Sequence, residues 1–295
     1  MSDAGIAFVN TVFVPIGLML IMFSMGLTLA LRDFGAVLKE PKLVGAGFAT
    51  HLLVLPLLGL GVGLLFRLPP ELALGLFIIS ICPAGTTSNA LTFVGRGNVA
   101  LAVVLTALTS LVTVFTIPLL LSWAIPWFLS AGGGRVPELS VPGTMLQLVR
   151  ITVLPIAAGM IVRRFWPGTA ERLARWLRPV AFVVLIGVIG FSVAVSLGMV
   201  LANLTAVGPA IYALNLVAMG FGLLLGWAIG AEPRDAMTLS IETGVQNVTL
   251  ALFLTLTVLG DLSLAVTQNI YGVVMILNAS LLIRWWRGRI AAAAA

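Results

Sequence analysis

Cys82-Pro83-Ala84-Gly85-Thr86-Thr87-Ser88-Asn89 interrupts an apolar run that extends from Leu72 to Val94. A second interruption, Ser240-Ile241-Glu242-Thr243-Gly244-Val245-Gln246-Asn247, stands far downstream in another apolar run. Proline and glycine release backbone groups from helical pairing, and hydroxyl, amide and carboxylate side chains accompany them at both places. Hydrocarbon offers such groups no partner, so a break at membrane depth requires surrounding protein or a cavity. Two broken helices at matching places in two halves of a chain point to a transport site near the bilayer midplane.

The rest of the composition agrees. Of 295 residues, 60% are hydrophobic and only 9% are charged, against about 25% charged in soluble domains. Repeated apolar runs of about 20 residues suit helices through roughly 30 Å of hydrocarbon, and the alternation of a membrane β-barrel is missing. The expected class is an all-α polytopic membrane protein, with the lipid bilayer as its solvent. The net charge of +6 is spread through short loops without a basic stripe or aromatic platform, which argues against nucleic acid as a partner. Cys82 is the only cysteine, so no intramolecular disulfide or cysteine metal cluster is expected. Its plain reading is a small buried apolar residue. The opening residues carry no positive leader, and the first apolar run is expected to be retained as a span.

Splitting the runs at charged or Gly/Pro-rich points predicts nine spans, at about 6–31, 43–66, 71–94, 99–128, 141–163, 178–200, 205–230, 234–259 and 263–285. With the N-terminus outside and the C-terminus cytoplasmic, thirteen of the sixteen basic residues fall on the cytoplasmic side. They are Arg32, Lys39, Lys42, Arg96, Arg163, Arg164, Arg172, Arg175, Arg178, Arg234, Arg284, Arg287 and Arg289. Only Arg67 and Arg135 lie in outer loops, while Arg150 falls within a span. That bias sets the orientation, and an inner cell membrane is the expected location.

The third and eighth spans then run in opposite directions. Their entries are alike: Leu68-Pro69-Pro70-Glu71 and Ala231-Glu232-Pro233-Arg234-Asp235 each set proline and an acidic residue at a helix start. The reading is one transporter domain, 1–295, of two inverted repeats, about 6–128 and about 178–285. A connector helix at about 141–163 joins them, preceded by an outer loop around Gly132-Gly133-Gly134.

Glu242 carries the most information, because a carboxylate within a span costs about 2.5–3.5 kcal/mol unless paired or facing water. A cation is its expected partner. Oxygen donors from Gln246, Asn247, Ser88, Asn89, Thr86 and Thr87 suit a hard cation, and a single carboxylate suits sodium better than a divalent ion. The plainer alternative is a Glu that hydrogen-bonds helices together. The half-helices resuming after each break also direct positive dipole ends to the midplane, which favours an anionic substrate. Thr86, Thr87 and Asn247 can donate to it, or the threonines can simply cap their own backbone.

The segments Pro83 to Thr92, Arg96-Gly97-Asn98-Val99-Ala100-Leu101, Glu242 to Asn247, and Ile21 to Leu29 together resemble the bile acid:sodium symporter family. The resemblance runs in order through nearly the whole chain. It implies a core and a panel of nine or ten helices, with two discontinuous helices crossing in the core. This chain is similar to the nine-helix form. The resemblance also implies two sodium sites at the crossing. Ser88, Asn89, Thr106 and Glu242 stand at first-site ligand positions, while a further hydroxyl position is Ala102 here. Glu242 and Gln246 stand at second-site positions, with the backbone carbonyls of Thr243 and Val245. The remaining position, glutamine in many members, is His51.

His51 is the only histidine. As neutral imidazole it can ligate sodium or hydrogen-bond; protonated, it would replace a cation beside Glu242. Arg150, beside Gln147, can attract an organic anion or snorkel to an interface. Asn269, Tyr271 and Asn278 can line the substrate cavity or form a polar packing face. Trp123, Trp127, Trp166, Trp176, Trp285 and Trp286 near span ends read as interfacial anchors.

The functional expectation is sodium-coupled symport of an organic anion, bile-acid-like or a small carboxylate such as pantoate, by alternating access. The alternative is proton-coupled or uncoupled transport, with His51 in place of a sodium ligand. An intramembrane enzyme is disfavoured, since Glu242 and His51 bring no nucleophile pair or metal motif. A channel is disfavoured by the absence of a ring of charges.

Overall fold

The computed structural model describes residues 7–35, 40–130 and 137–294, with the side chains of Phe34 and of residues 288–294 excepted. Lys39, the Gly132 to Gly134 loop and Arg135 lie outside the described residues, as does the side chain of Arg289.

Every regular element is helical. In chain order they are α1 (Val9–Gly26), α2 (Pro41–Leu65), α3 (Pro70–Ile81), α4 (Thr86–Val94), α5 (Val99–Leu129), α6 (Val141–Phe165), α7 (Pro167–Ala228), α8 (Pro233–Gly244), α9 (Val248–Val258) and α10 (Ala265–Ala294). Six of these are long and apolar enough to cross a membrane: α1, α2, α5, α6, α7 and α10. Side chains such as Leu65, Phe93 and Val183 are 77%, 72% and 68% exposed. Such a surface is stable only where the solvent is lipid.

The third and eighth predicted spans are broken where the sequence marks them. At 12 residues each, α3 and α8 reach about 18 Å, too short to cross alone. The two starts are nearly superimposable in conformation. Pro69 (φ −51°, ψ 147°) precedes Pro70, and Glu232 (φ −57°, ψ 148°) precedes Pro233, with Glu71 and Asp235 in the respective first turns. The helices before them end alike too, with Arg67 (φ 50°) after α2 and Gly230 (φ 75°) after α7 in the left-handed region. These residues close Schellman-type ends, in which the Leu68 amide reaches the Gly63 carbonyl and the Ala231 amide reaches the Gly226 carbonyl.

The two broken helices enter from opposite ends of α10. Thr267 and Gln268, at its start, donate to the carbonyls of Leu72 and Gly75 in α3. The start of α8 instead meets residues 97 and 98, where Asn98 donates through Nδ2 to Asp235 (2.9 Å) and through its backbone to Thr238 (2.9 Å). The neighbouring Gly95 packs on Ile283, far along α10.

One element departs from expectation. The predicted spans 178–200 and 205–230, with the loop before them, form a single hydrogen-bonded run, α7, of 62 residues. Its contacts show that it doubles back. Ile189 packs at Gly272 and Ser196 bonds Asn269, antiparallel to α10. Asn215 bonds Tyr271 and Asn278, while Met219 and Leu223 share a groove with Leu282 and Trp285, parallel to it. A straight helix would separate residues 189 and 215 by about 39 Å. Pro209, inside this run, lacks the N–H that a helix interior needs and is the local cause available for bending.

The interior is a large apolar cluster shared by α1 to α3 and α5 to α10. A smaller cluster, Leu43, Val44, Leu101, Val104, Leu105 and Leu239, ties α2 to α5 and α8. Every residue from Leu72 to Gly85 and from Asp235 to Leu256 is buried. Both breaks therefore lie at the centre of the molecule, as an interrupted backbone in lipid requires.

Candidate functional site

Local chemistry makes each break. Pro83 disfavours helical geometry at the residue before it, and Cys82 is extended (φ −73°, ψ 147°). Gly85 is also extended (φ −107°, ψ 173°) before α4 resumes. On the other strand α8 ends at Gly244, Val245 is extended, and Asn247 caps α9 by accepting from the Leu250 amide at 3.0 Å. The two breaks cross as a single antiparallel bridge between Ala84 and Gln246, and the Asn247 amide donates to the Pro83 carbonyl at 2.9 Å. A Cβ on residue 85 would stand 3.3 Å from Asn247 Cα, so glycine permits the approach.

Glu242 is completely buried at this crossing. Its Oε2 accepts from the Thr106 hydroxyl at 2.9 Å, and its Oε1 has no partner. The Thr106 oxygen also stands 3.3 Å from Asn89 Oδ1. A hydroxyl has one proton; given to Glu242, it leaves the Asn89 oxygen facing lone pairs. Ser88 lies beside the carboxylate and donates to the Gly85 carbonyl at 2.7 Å. Gln246 directs Nε2 to the Thr243 carbonyl at 2.7 Å and leaves Oε1 buried without a partner. The Thr243 hydroxyl turns away to the Ala218 and Leu239 carbonyls, so this residue can serve the site only through its backbone. Val245 is fully buried at the break itself.

No arginine, lysine or histidine pairs with Glu242 among the described residues, and these hold no cluster of three His, Cys, Asp or Glu side chains. What faces the carboxylate is a set of neutral oxygens. That set is short of positive charge, which a hard monovalent cation would supply.

The crossing segments also carry donors. Asn247 Nδ2 is buried without a partner. Thr86 and Thr87, partly buried, open α4 where its first amides lack helical acceptors. Unpaired acceptors and unpaired donors thus lie close together along the two crossing segments.

His51 is 2% exposed, with both ring nitrogens unpartnered. It sits in a π-turn, Thr50–Val54, which interrupts α2. One turn earlier, Gly47 packs against Leu105 and Leu239. The neighbours of Gly47 put this stretch of α2 against α5 and α8. Ala102 is buried and brings no oxygen.

Asn269 and Asn278 face α7, and Asn278 also lines the groove shared by Met219, Leu223, Leu282 and Trp285. Asn269 Nδ2 donates to Ser196 and Asn278 Nδ2 to Asn215 Oδ1 at 2.8 Å. Asn215 and Tyr271 both donate to the Gly244 carbonyl, at 2.7 and 3.0 Å. The final carbonyl of α8, which no helical amide reaches, is held from behind by this network. The sequence reading passed over Asn215, although a buried amide in the middle of an apolar run carries the same signal as Asn278. Arg150 is exposed in the π-turn Val149–Val153, with no ion pair among the described residues, and takes no part in the crossing. Trp123 and Trp127 stack at 5.5 Å on the surface, as interfacial anchors do.

The family model described as the Sodium Bile acid symporter family matches residues 15–204. A probable sodium/metabolite cotransporter, BASS1 of Arabidopsis thaliana chloroplasts, is 29% identical over 276 residues, covering 92% of this chain and 66% of its own length. The uncharacterized sodium-dependent transporter YocS of Bacillus subtilis is 29% identical over 282 residues, covering 94% of this chain and 84% of its own. The human ileal sodium/bile acid cotransporter is 28% identical over 232 residues, covering 78% and 65%. This chain thus spans about two thirds of the length of the plant relatives it matches. Matched over more than half of its length, and crossing its two broken helices at a buried carboxylate, the chain belongs to the Sodium Bile acid symporter family.

Proposed function

We propose that this protein is a secondary active transporter that carries an organic anion with sodium by alternating access. The observation that supports this most directly is Glu242, wholly buried, with one carboxylate oxygen unpaired and only neutral oxygens around it. Sodium would be held by Glu242, Ser88, Asn89 and Thr106, and by Glu242 with Gln246, the carbonyls of Thr243 and Val245, and His51. Neutralising Glu242 makes an anion's approach favourable. Thr86, Thr87 and Asn247 would meet that anion, a bile-acid-like molecule or a small carboxylate such as pantoate. The relatives named for sodium cotransport support the coupling. Asn278 acts on the site through Asn215 and the Gly244 carbonyl, and Asn269 braces α7.

We read nine crossings, counting each broken pair once and α7 twice, in two inverted repeats about the connector α6. The paired Pro-led starts and the opposed entries of α3 and α8 support this. The basic residues favour an outer N-terminus and a cytoplasmic C-terminus in a cell membrane. Uptake of labelled carboxylates into proteoliposomes should require an inward sodium gradient. Uptake that persists unchanged with choline in place of sodium would overturn the coupling.

A second reading rests on His51, whose two nitrogens are unpartnered where a ligand is expected. In it, transport is proton-coupled or uncoupled. The same choline experiment at several pH values separates the two, because only this second reading retains uptake without sodium.

A further inference from the structure

A groove of about 350 Å³ separates the late turns of α4 from α10. Leu91 and Val94, three residues apart on α4, form one wall. Ser280, Ile283, Arg284 and Arg287 form the other, at the i, i+3, i+4 and i+7 spacing of one helix face. Just past α4, Gly95 packs on Ile283 and closes this end of the groove.

Neither Arg284 nor Arg287 has an acidic partner among the described residues, where the ion pairs join Arg32 to Asp33, Arg163 to Glu171, and Arg234 to Glu232 and Asp235. The groove is therefore apolar within and doubly cationic at its edge. Phe93 and Val94 beside it are 72% and 52% exposed, so it opens toward lipid. Guanidinium groups bind phosphate oxygens bidentately. Basic pockets between helix ends on the cytoplasmic side are suited to lipid headgroups, and the apolar wall accepts the first methylenes of a chain.

We propose that this groove binds the phosphate headgroup of an anionic glycerophospholipid of the cytoplasmic leaflet, and that its occupancy holds α4 where Ser88 and Asn89 meet Glu242. The second half of this statement rests on the sodium reading given above. The link is short: α4 is only nine residues long, and Leu91 lies within one turn of Ser88 and Asn89. A wedge at one end constrains the other. By linkage, lipid and sodium then raise each other's affinity.

The test uses the full chain. Native mass spectrometry in detergent supplied with phosphatidylglycerol should show retained lipid. Phosphatidylcholine should not be retained, and soluble glycerol phosphate should not displace the lipid. The Arg284→Gln/Arg287→Gln double variant, still monodisperse, should lose the retention. Equal retention of phosphatidylcholine, displacement by glycerol phosphate, or unchanged retention in the double variant would overturn the lipid site. In nanodiscs containing phosphatidylglycerol, the sodium concentration for half-maximal thermal stabilisation should be about fivefold higher in the double variant than in the parent. The surface potential is the same for both. Equal midpoints would overturn the coupling while leaving the lipid site to the first measurement. A sodium response whose midpoint is unchanged in Glu242→Gln would overturn the sodium reading instead, and leaves lipid retention unaffected.

Discussion

The Thr106 hydroxyl donates to Glu242 Oε2 at 2.9 Å across 136 positions of sequence and leaves Oε1 buried and unpaired. A single donor cannot compensate a carboxylate taken wholly out of water, whose unpaired burial costs several kcal/mol. On the sodium reading, a bound cation completes the arrangement.

Replacing Glu242 should therefore separate stability from binding. Glu242→Gln removes the uncompensated charge and keeps the shape, so thermal stability without sodium should be unchanged or higher. Sodium-dependent stabilisation should fall by about 100-fold in apparent affinity, roughly 2.7 kcal/mol. A sodium titration followed by thermal unfolding checks both halves. Glu242→Ala should abolish the sodium response and sodium-driven transport together.

His51→Gln should lower the sodium concentration needed for half-maximal stabilisation. A side-chain carbonyl is a harder oxygen donor than imidazole nitrogen and carries no competing proton. The measurement is the same titration, and an unchanged or raised midpoint would count against His51 as part of the cation site.

Asn215 and Tyr271 share the Gly244 carbonyl, so their losses should not add. Tyr271→Phe leaves Asn215 in place and should cost under about 1 kcal/mol, within the range for polar contacts between membrane helices. Asn215→Leu removes one of these donors and the acceptor of Asn278, and should cost about 1–3 kcal/mol. Unfolding of both single variants and the double variant completes the cycle, and the coupling should exceed about 0.5 kcal/mol.

Gly85→Ala should weaken sodium binding several-fold, with little change in expression. The residue's extended conformation suits any side chain, so the effect comes from the Cβ placed 3.3 Å from Asn247 Cα. Gly85→Val should be worse, since a branched side chain adds atoms on the same side. Midpoints in the order Gly, Ala, Val would confirm contact at the crossover as the cause.

Much of this molecule was readable before any coordinates. The breaks at Cys82 to Gly85 and at Val245 to Asn247 were visible because proline, glycine and polar side chains stand out in apolar sequence. Glu242 stood out because a carboxylate in a span is costly. The doubling back of α7 was foreseen as two spans but not as one hydrogen-bonded run, because Gly208-Pro209 is the punctuation expected to end a helix, whereas here it lies inside one.

Composition and patterning alone determined the class, the positions of the broken helices and the identity of the buried carboxylate. Each of these follows from single-residue transfer costs, which are local. Only the tertiary structure decided partners. Thr106 bonds Glu242, Asn278 and Tyr271 serve the back of the break, and Arg284 and Arg287 face Leu91. Such pairings depend on how helices far apart in sequence come to lie against each other. In a uniformly apolar chain, periodicity does not say which face of a helix meets which neighbour.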